Sequence, residues 1–138
     1  MLADLPVHRP ATLDDALLLL EMPPDGRVLT PMAGGTDLMV QLQARSFVPE
    51  SVLDLWRLDE LRSLDEGADG SLRVGALSTF RDLIGSPAAA RCAPMLVEAA
   101  RTVGATQIQA RGTLAGNVAN ASPAGDSLPV LLAQGATI

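Results

Sequence analysis

Apolar and polar positions alternate along this chain in short blocks, and the blocks set the expected elements. Thr12 followed by Asp15 has the form of a capping box ahead of the apolar run Ala16 to Leu20, so a helix begins there. Pro23 and Pro24 end it, because a proline bars its predecessor from helical geometry. Arg27 to Met32 is short, apolar and partly β-branched, which predicts a strand. It runs into Ala33-Gly34-Gly35-Thr36-Asp37, after which Leu38 to Leu42 reads as helix with Thr36 or Asp37 as its N-cap. Ser51 to Leu55 reads as a second strand. Strand, glycine turn, helix and strand form a βαβ unit, for which a parallel pair is expected.

A polar link from Arg57 to Arg62 follows. Gly67 and Gly70 then bracket a turn between Ser63–Glu66 and Leu72–Ala76, which predicts a hairpin. Thr79 to Ile84 reads as helix with Ser78 as cap. Pro94 opens another helix that runs through Val103 and stops at Gly104. Thr106 to Gln109 is expected to be extended, Leu128 to Gln134 helical, and Ala136 to Ile138 the start of a strand. Ala119 to Ser127 is rich in small residues, and no internal repeat is present.

Composition narrows the function classes. The chain has 138 residues, of which 48% are apolar and 19% charged, enough for a packed core and unlike a disordered segment. The net charge is -6 and every basic residue is arginine. A lysine Schiff base is therefore excluded, and the scattered arginines fit neither nucleic-acid binding nor electrostatic docking on a membrane. Cys92 and His8 each stand alone, so no internal disulfide, iron–sulfur cluster or His/Cys metal site arises within the chain. Asp4 and Pro6 interrupt any signal-peptide pattern and no apolar run spans a bilayer, so a soluble cytoplasmic protein is expected.

Two glycine-rich segments carry the candidate chemistry. In Gly34-Gly35-Thr36-Asp37, glycine permits positive φ and close approach of a ligand, while the following helix N-terminus offers N–H groups to an anion. The segment is neither G-x-G-x-x-G nor a lysine-bearing Walker loop. A tight strand-to-helix turn is its plain structural reading. The second segment is Gly112-Thr113-Leu114-Ala115-Gly116-Asn117, where Thr113 and Asn117 add side-chain donors. A carboxylate beside a pyrophosphate would be repelled. Asp126 is thus expected to accept from ribose hydroxyls or a ring N–H of a bound nucleotide cofactor, or to pin its own loop, and Asp37 to bond loop N–H groups. With net charge -6, phosphate recognition is expected to rest on backbone dipoles. Arg111 is the one nearby cation, equally a ligand or a surface arginine. Trp56 reads as a packing or interface residue, with a cofactor-adjacent position as the alternative, Cys92 as a buried small apolar residue, and His8 lacks a carboxylate partner.

Taken in order, His8-Arg9-Pro10, the Thr12 helix start, AGGTDL at Ala33 to Leu38, VLDL at Val52 to Leu55, RVGALSTFRDL at Arg73 to Leu83 and QIQARGTLAGNVANASPAGDSLPVLLA at Gln107 to Ala133 resemble one family across nearly the whole chain. It is similar to the FAD-binding subunit or domain of xanthine dehydrogenase, carbon monoxide dehydrogenase and related molybdenum hydroxylases. The resemblance implies an α+β, two-subdomain FAD-binding fold of the vanillyl-alcohol-oxidase-like type. A small parallel βαβ unit over residues 1–56 would precede an incomplete mixed and antiparallel α+β unit over 57–138. It implies that FAD is held by Pro31, Met32, Ala33, Gly34, Gly35, Thr36, Asp37 and Leu38 on one side. Thr113, Leu114, Ala115, Gly116 and Asn117 would hold it on the other, with Asp126 as a further contact. No catalytic acid, base or nucleophile is assigned. Two positions depart from the family pattern: Val103 stands where relatives place an aromatic residue, and Ala115 replaces a glycine.

The implied role is electron transfer. A large subunit with molybdenum cofactor and a small subunit with 2Fe-2S clusters would deliver electrons through FAD to NAD, quinone or oxygen, in a hetero-oligomer. Family members continue past this length, so a truncated or split product is expected, with the strand at Ala136–Ile138 left as an exposed edge. The alternative reading is a non-catalytic fragment or interaction module that no longer retains FAD. A Rossmann-type NAD domain is a distant third reading.

Overall fold

The computed structural model describes residues 5–138. Three short parallel strands come first: β1 (Val7–His8), β2 (Leu29–Met32) and β3 (Ser51–Asp54), in the order β1-β3-β2. The β2–α2–β3 unit, with α2 spanning Thr36–Ala44, gives the expected parallel pair. β1 is an addition to the expected elements. Its two residues carry no strand signal of their own and are extended because β3 offers a free edge. That makes β3 central, and Ser51, Val52 and Leu53 are buried. Helix α1 (Leu13–Glu21) covers the sheet through Ala16, and its Thr12/Asp15 capping box forms as expected. Ala16, Leu29, Leu53, Leu58 and Leu77 make one core cluster.

The second part opens with the expected hairpin, β4 (Leu64–Glu66) antiparallel to β5 (Leu72–Val74). Six helices follow: α3 (Phe80–Gly85), α4 (Pro87–Cys92), α5 (Pro94–Thr102), α6 (Thr106–Gln109), α7 (Leu114–Asn120) and α8 (Ser127–Ala133). Phe80, Leu83, Leu96, Val97, Ala100 and Leu114 form a second core cluster against which Leu64, Leu72 and Val74 of the hairpin pack. The architecture is therefore α+β, with one parallel and one antiparallel sheet.

Several local expectations are corrected. The cap of α3 is Thr79, one residue beyond Ser78. The Thr79 hydroxyl accepts from the Asp82 amide at 3.1 Å, while Asp82 Oδ2 accepts from the Thr79 amide at 2.8 Å. Ser78 instead spends its hydroxyl on the Ser63 carbonyl at 2.8 Å, tying α3 to the hairpin. Helix α4 begins at Pro87 under a Ser86 cap in a stretch assigned no element from sequence. Thr106–Gln109 is a helical turn rather than extended chain. Gln109 and Ala110 donate to the carbonyls of Ala105 and Thr106, each at 3.0 Å, and these bonds override the β preference of Thr106 and Ile108. Ala136–Ile138 forms no strand. Gly135 at φ +62° sends its amide to Leu132 O while the Ala136 amide returns to Leu131 O, a Schellman ending that closes α8.

Candidate functional site

Helix α2 follows β2 through a left-handed Gly35 at φ +76°. Gly35 itself is the N-cap, and Thr36 and Asp37 are already helical. Neither fills the expected capping role, and no side chain caps this helix. The first amide bonded back into the helix is that of Met39, which donates to Gly35 O at 3.0 Å. The amides of Thr36, Asp37 and Leu38 therefore point out of the N-terminus without a partner in the helix. Asp37 is exposed and, among the described residues, no loop amide donates to its carboxylate, contrary to the expected role.

The second segment is mostly helix. Only Arg111 to Thr113 is irregular, because Thr113 caps α7 by accepting from the Gly116 amide at 3.0 Å. The start of α7 is further consumed by Leu114, whose amide donates to Ser78 O at 3.3 Å. Leu114 is buried in the core. Asn117 sits in the next turn. Its Oδ1 accepts from Ser127 Oγ at 2.5 Å, which fixes the carboxamide and leaves its Nδ2–H groups as donors.

The two segments face one cleft of about 630 Å³. Pro31 to Leu38 line it from one side, and Gly112, Thr113, Ala115, Gly116 and Asn117 from the other. Val103 lines it too, among Leu77, Phe80 and Ile108. Of the expected set, Leu114 is packed beneath the cleft and Asp126 is exposed at the start of α8, outside the lining. Sequence reasoning missed Gln41, Phe47 and Asn120 in the wall. The helical spacing from Asp37 to Gln41 and from Asn117 to Asn120 was the available signal for two of them. No arginine lines the cleft, so an anion seated there meets backbone N–H groups, hydroxyls and carboxamides.

Close packing explains the glycines. A Cβ on Gly34 would overlap the Arg111 carbonyl oxygen, so the two segments touch backbone to backbone. A Cβ on Gly116 would press on the Thr113 hydroxyl that caps α7. An extended diphosphate fits this arrangement: uncapped amides of α2 on one wall, Thr113 and Asn117 donors on the other, and little side-chain bulk between.

Comparison with known proteins places the chain in a family. The family model described as FAD binding domain in molybdopterin dehydrogenase matches residues 3–138. The chain is 39% identical over 120 residues to a protein named putative xanthine dehydrogenase FAD-binding subunit from Escherichia coli (strain K12), covering 87% of this chain and 40% of that one. It is 35% identical over 130 residues to the glyceraldehyde dehydrogenase medium chain of Sulfolobus acidocaldarius, covering 94% and 45%. Among solved structures, reconstituted CO dehydrogenase from Oligotropha carboxidovorans superposes with a TM-score of 0.82 at 31% identity, covering 90% of this chain and 42% of that one. The chain thus spans less than half the length of the relatives it matches. By its sequence over residues 3–138, and by a fold shared with a CO dehydrogenase chain, this protein belongs to the FAD-binding domain family of the molybdopterin dehydrogenases.

Proposed function

We propose that the chain holds FAD by its pyrophosphate across the cleft between the Gly34–Leu38 and Gly112–Asn117 segments, as part of the flavin-binding subunit of a molybdenum hydroxylase. The observation that carries this reading is the uncapped N-terminus of α2 facing the Thr113 and Asn117 donors across one cleft. The amides of Thr36, Asp37 and Leu38 bind phosphate oxygens, and the Thr36 hydroxyl adds a donor. Pro31, Met32 and Ala33 shape the wall, Ala115 and Gly116 leave room, and Leu114 anchors α7 from below. Asp126 acts from the start of α8, next to the Ser127 hydroxyl that orients Asn117.

Bound flavin supplies the redox chemistry, and the chain binds and orients it. In the whole protein, a molybdenum cofactor-binding large subunit and a 2Fe-2S small subunit are the electron source, and NAD, quinone or oxygen the acceptor. The division into 1–56 and 57–138 follows the two sheets, with Leu58 and Leu77 reaching back into the first core cluster. No helix among the described residues is long and apolar enough to cross a membrane, and a cytoplasmic hetero-oligomer is the proposed setting.

The test is the visible absorption spectrum of the purified chain after incubation with FAD and desalting. Flavin bands near one per chain are the expected result. A folded but colourless protein after that treatment would refute retention by this chain alone and favour the non-catalytic fragment.

A further inference from the structure

The two segments that face the cleft are carried by different parts of the chain. The first extends β2. The second is tied to the start of α3, where the Phe80 amide donates to Gly112 O at 3.0 Å and Thr79 bridges to Thr113. Arg111 joins them at the edge of the cleft. Its Nε donates to Gly34 O at 3.3 Å, and its guanidinium carbon stands 3.7 Å from the centroid of the Trp56 ring. Trp56 lies two residues past the end of β3, and its amide donates to Asp54 Oδ1 at 3.1 Å. Arg62 stacks on the same indole at 4.1 Å, while its Nη1 donates to Leu77 O at 3.2 Å and its Nη2 to Trp56 O.

The single tryptophan of the chain therefore carries two guanidiniums. Like charges on one ring repel, and the ring quadrupole, the carbonyl acceptors and the Asp59 carboxylate 3.5 Å from Arg62 Nε offset that repulsion. Arg111 is exposed and makes no ion pair among the described residues. Its Nε is engaged by Gly34 and its flat face by Trp56, and it does not line the cleft. Those are the contacts of a brace, and a lysine has neither the planar face nor the Nε donor to reproduce them.

We propose that Arg111 is a positioning residue: held on Trp56 and bonded to Gly34, it latches the two segments together and sets the width of the cleft. The consequence for FAD rests on the flavin reading above, whereas the latch itself belongs to the free protein. The full chain and its Arg111→Lys, Arg111→Met, Trp56→Leu and Trp56→Leu/Arg111→Met variants decide it by two measurements. Amide hydrogen exchange of the flavin-free proteins is expected to rise at the Met39 and Leu55 amides, which donate to Gly35 O and Met32 O at either end of the first segment, in all four variants, with exchange in the α5 core unchanged. FAD titration is expected to show Kd raised about tenfold in each single variant, the scale of a cation–π contact with its hydrogen bond. The double variant should be no weaker than the weaker single, because both substitutions open the same latch.

Wild-type exchange at the Met39 and Leu55 amides in Arg111→Met would overturn the latch whether or not FAD binds. Wild-type Kd in Arg111→Lys beside a weakened Arg111→Met would assign Arg111 a role by charge alone and also overturn it. Failure of the wild-type chain to bind FAD at all would refute the flavin reading, with the exchange result still deciding the latch.

Discussion

Replacing Gly34 by alanine adds one methyl group at the point where the two cleft segments touch. Gly34 does not need left-handed backbone, so its dihedrals accept alanine and the whole effect is steric. The new Cβ would overlap the Arg111 carbonyl oxygen and crowd the Gly112 amide, both of them backbone atoms that cannot rotate aside. Overpacking of this kind costs about 1–3 kcal/mol. Relief comes by moving the segments apart, which also breaks the Arg111 to Gly34 hydrogen bond. A ligand that needs the closed arrangement must recover that cost, so FAD should bind roughly 5- to 150-fold more weakly by the usual conversion of free energy to affinity. Gly70→Ala is the control. It sits at φ +80° with open space around it, so it loses about 1 kcal/mol to backbone strain while leaving the cleft alone. The assay is equilibrium titration of each purified variant with FAD, beside its thermal unfolding curve. If Gly34→Ala binds FAD within twofold of wild type, the contact at Arg111 does not govern the site and the steric argument is wrong.

Four other outcomes follow from the same structure. Thr113→Ala removes the cap of α7 and should lower stability by about 1 kcal/mol in denaturant unfolding, with weakened FAD binding because Ala115, Gly116 and Asn117 lose their support. Leu53→Ala empties a fully buried position in the central strand and should cost about 2–5 kcal/mol, read as a lower unfolding midpoint. Burial, and next the Glu66 carboxylate, push the Cys92 thiol above its ordinary pKa. Alkylation by iodoacetamide should be slow at neutral pH, rise with pH, and be faster in Glu66→Gln. The hydrogen bond from Arg91 holds the Glu66 carboxyl below its ordinary value. Its contribution is therefore present above the unfolded carboxylate pKa and lost as pH falls through the folded one. The stability difference between wild type and Glu66→Gln should be seen at neutral pH and vanish in acid.

The parts legible in the sequence are those whose causes are local. A hydroxyl three residues before a carboxylate marks the start of α1, two glycines bracket the β4–β5 turn, and a glycine pair between a strand and a helix marks the first cleft segment. Each is settled by backbone sterics and bonds within a few residues, and the order of these marks along the chain was enough to identify the family. Caps slipped by one residue where two candidates adjoin: Ser78 and Thr79 both have the chemistry, and only the Ser63 carbonyl, supplied by the hairpin, takes Ser78 away.

Contacts between distant residues were decided by the tertiary structure. β1 is a strand because β3, more than forty residues later by the pairing of Val7 with Val52, lies beside it. Helical bonds outweighed the extended preference of Thr106–Gln109, and the Schellman ending of α8 turned Ala136–Ile138 away from the strand expected there. Asp126 reads as a cofactor contact from its place in a motif, and the tertiary structure sets it exposed at the start of α8, outside the cleft lining, beside the Ser127 that bonds Asn117. Arg111 and Trp56 gave no sign of each other, being 55 residues apart in number and joined only when the end of β3 meets the approach to α7. Residue types along a chain report what each position is able to donate, accept or bury. Which donors share a cleft, and what holds its walls together, depends on long-range packing that local sequence does not encode.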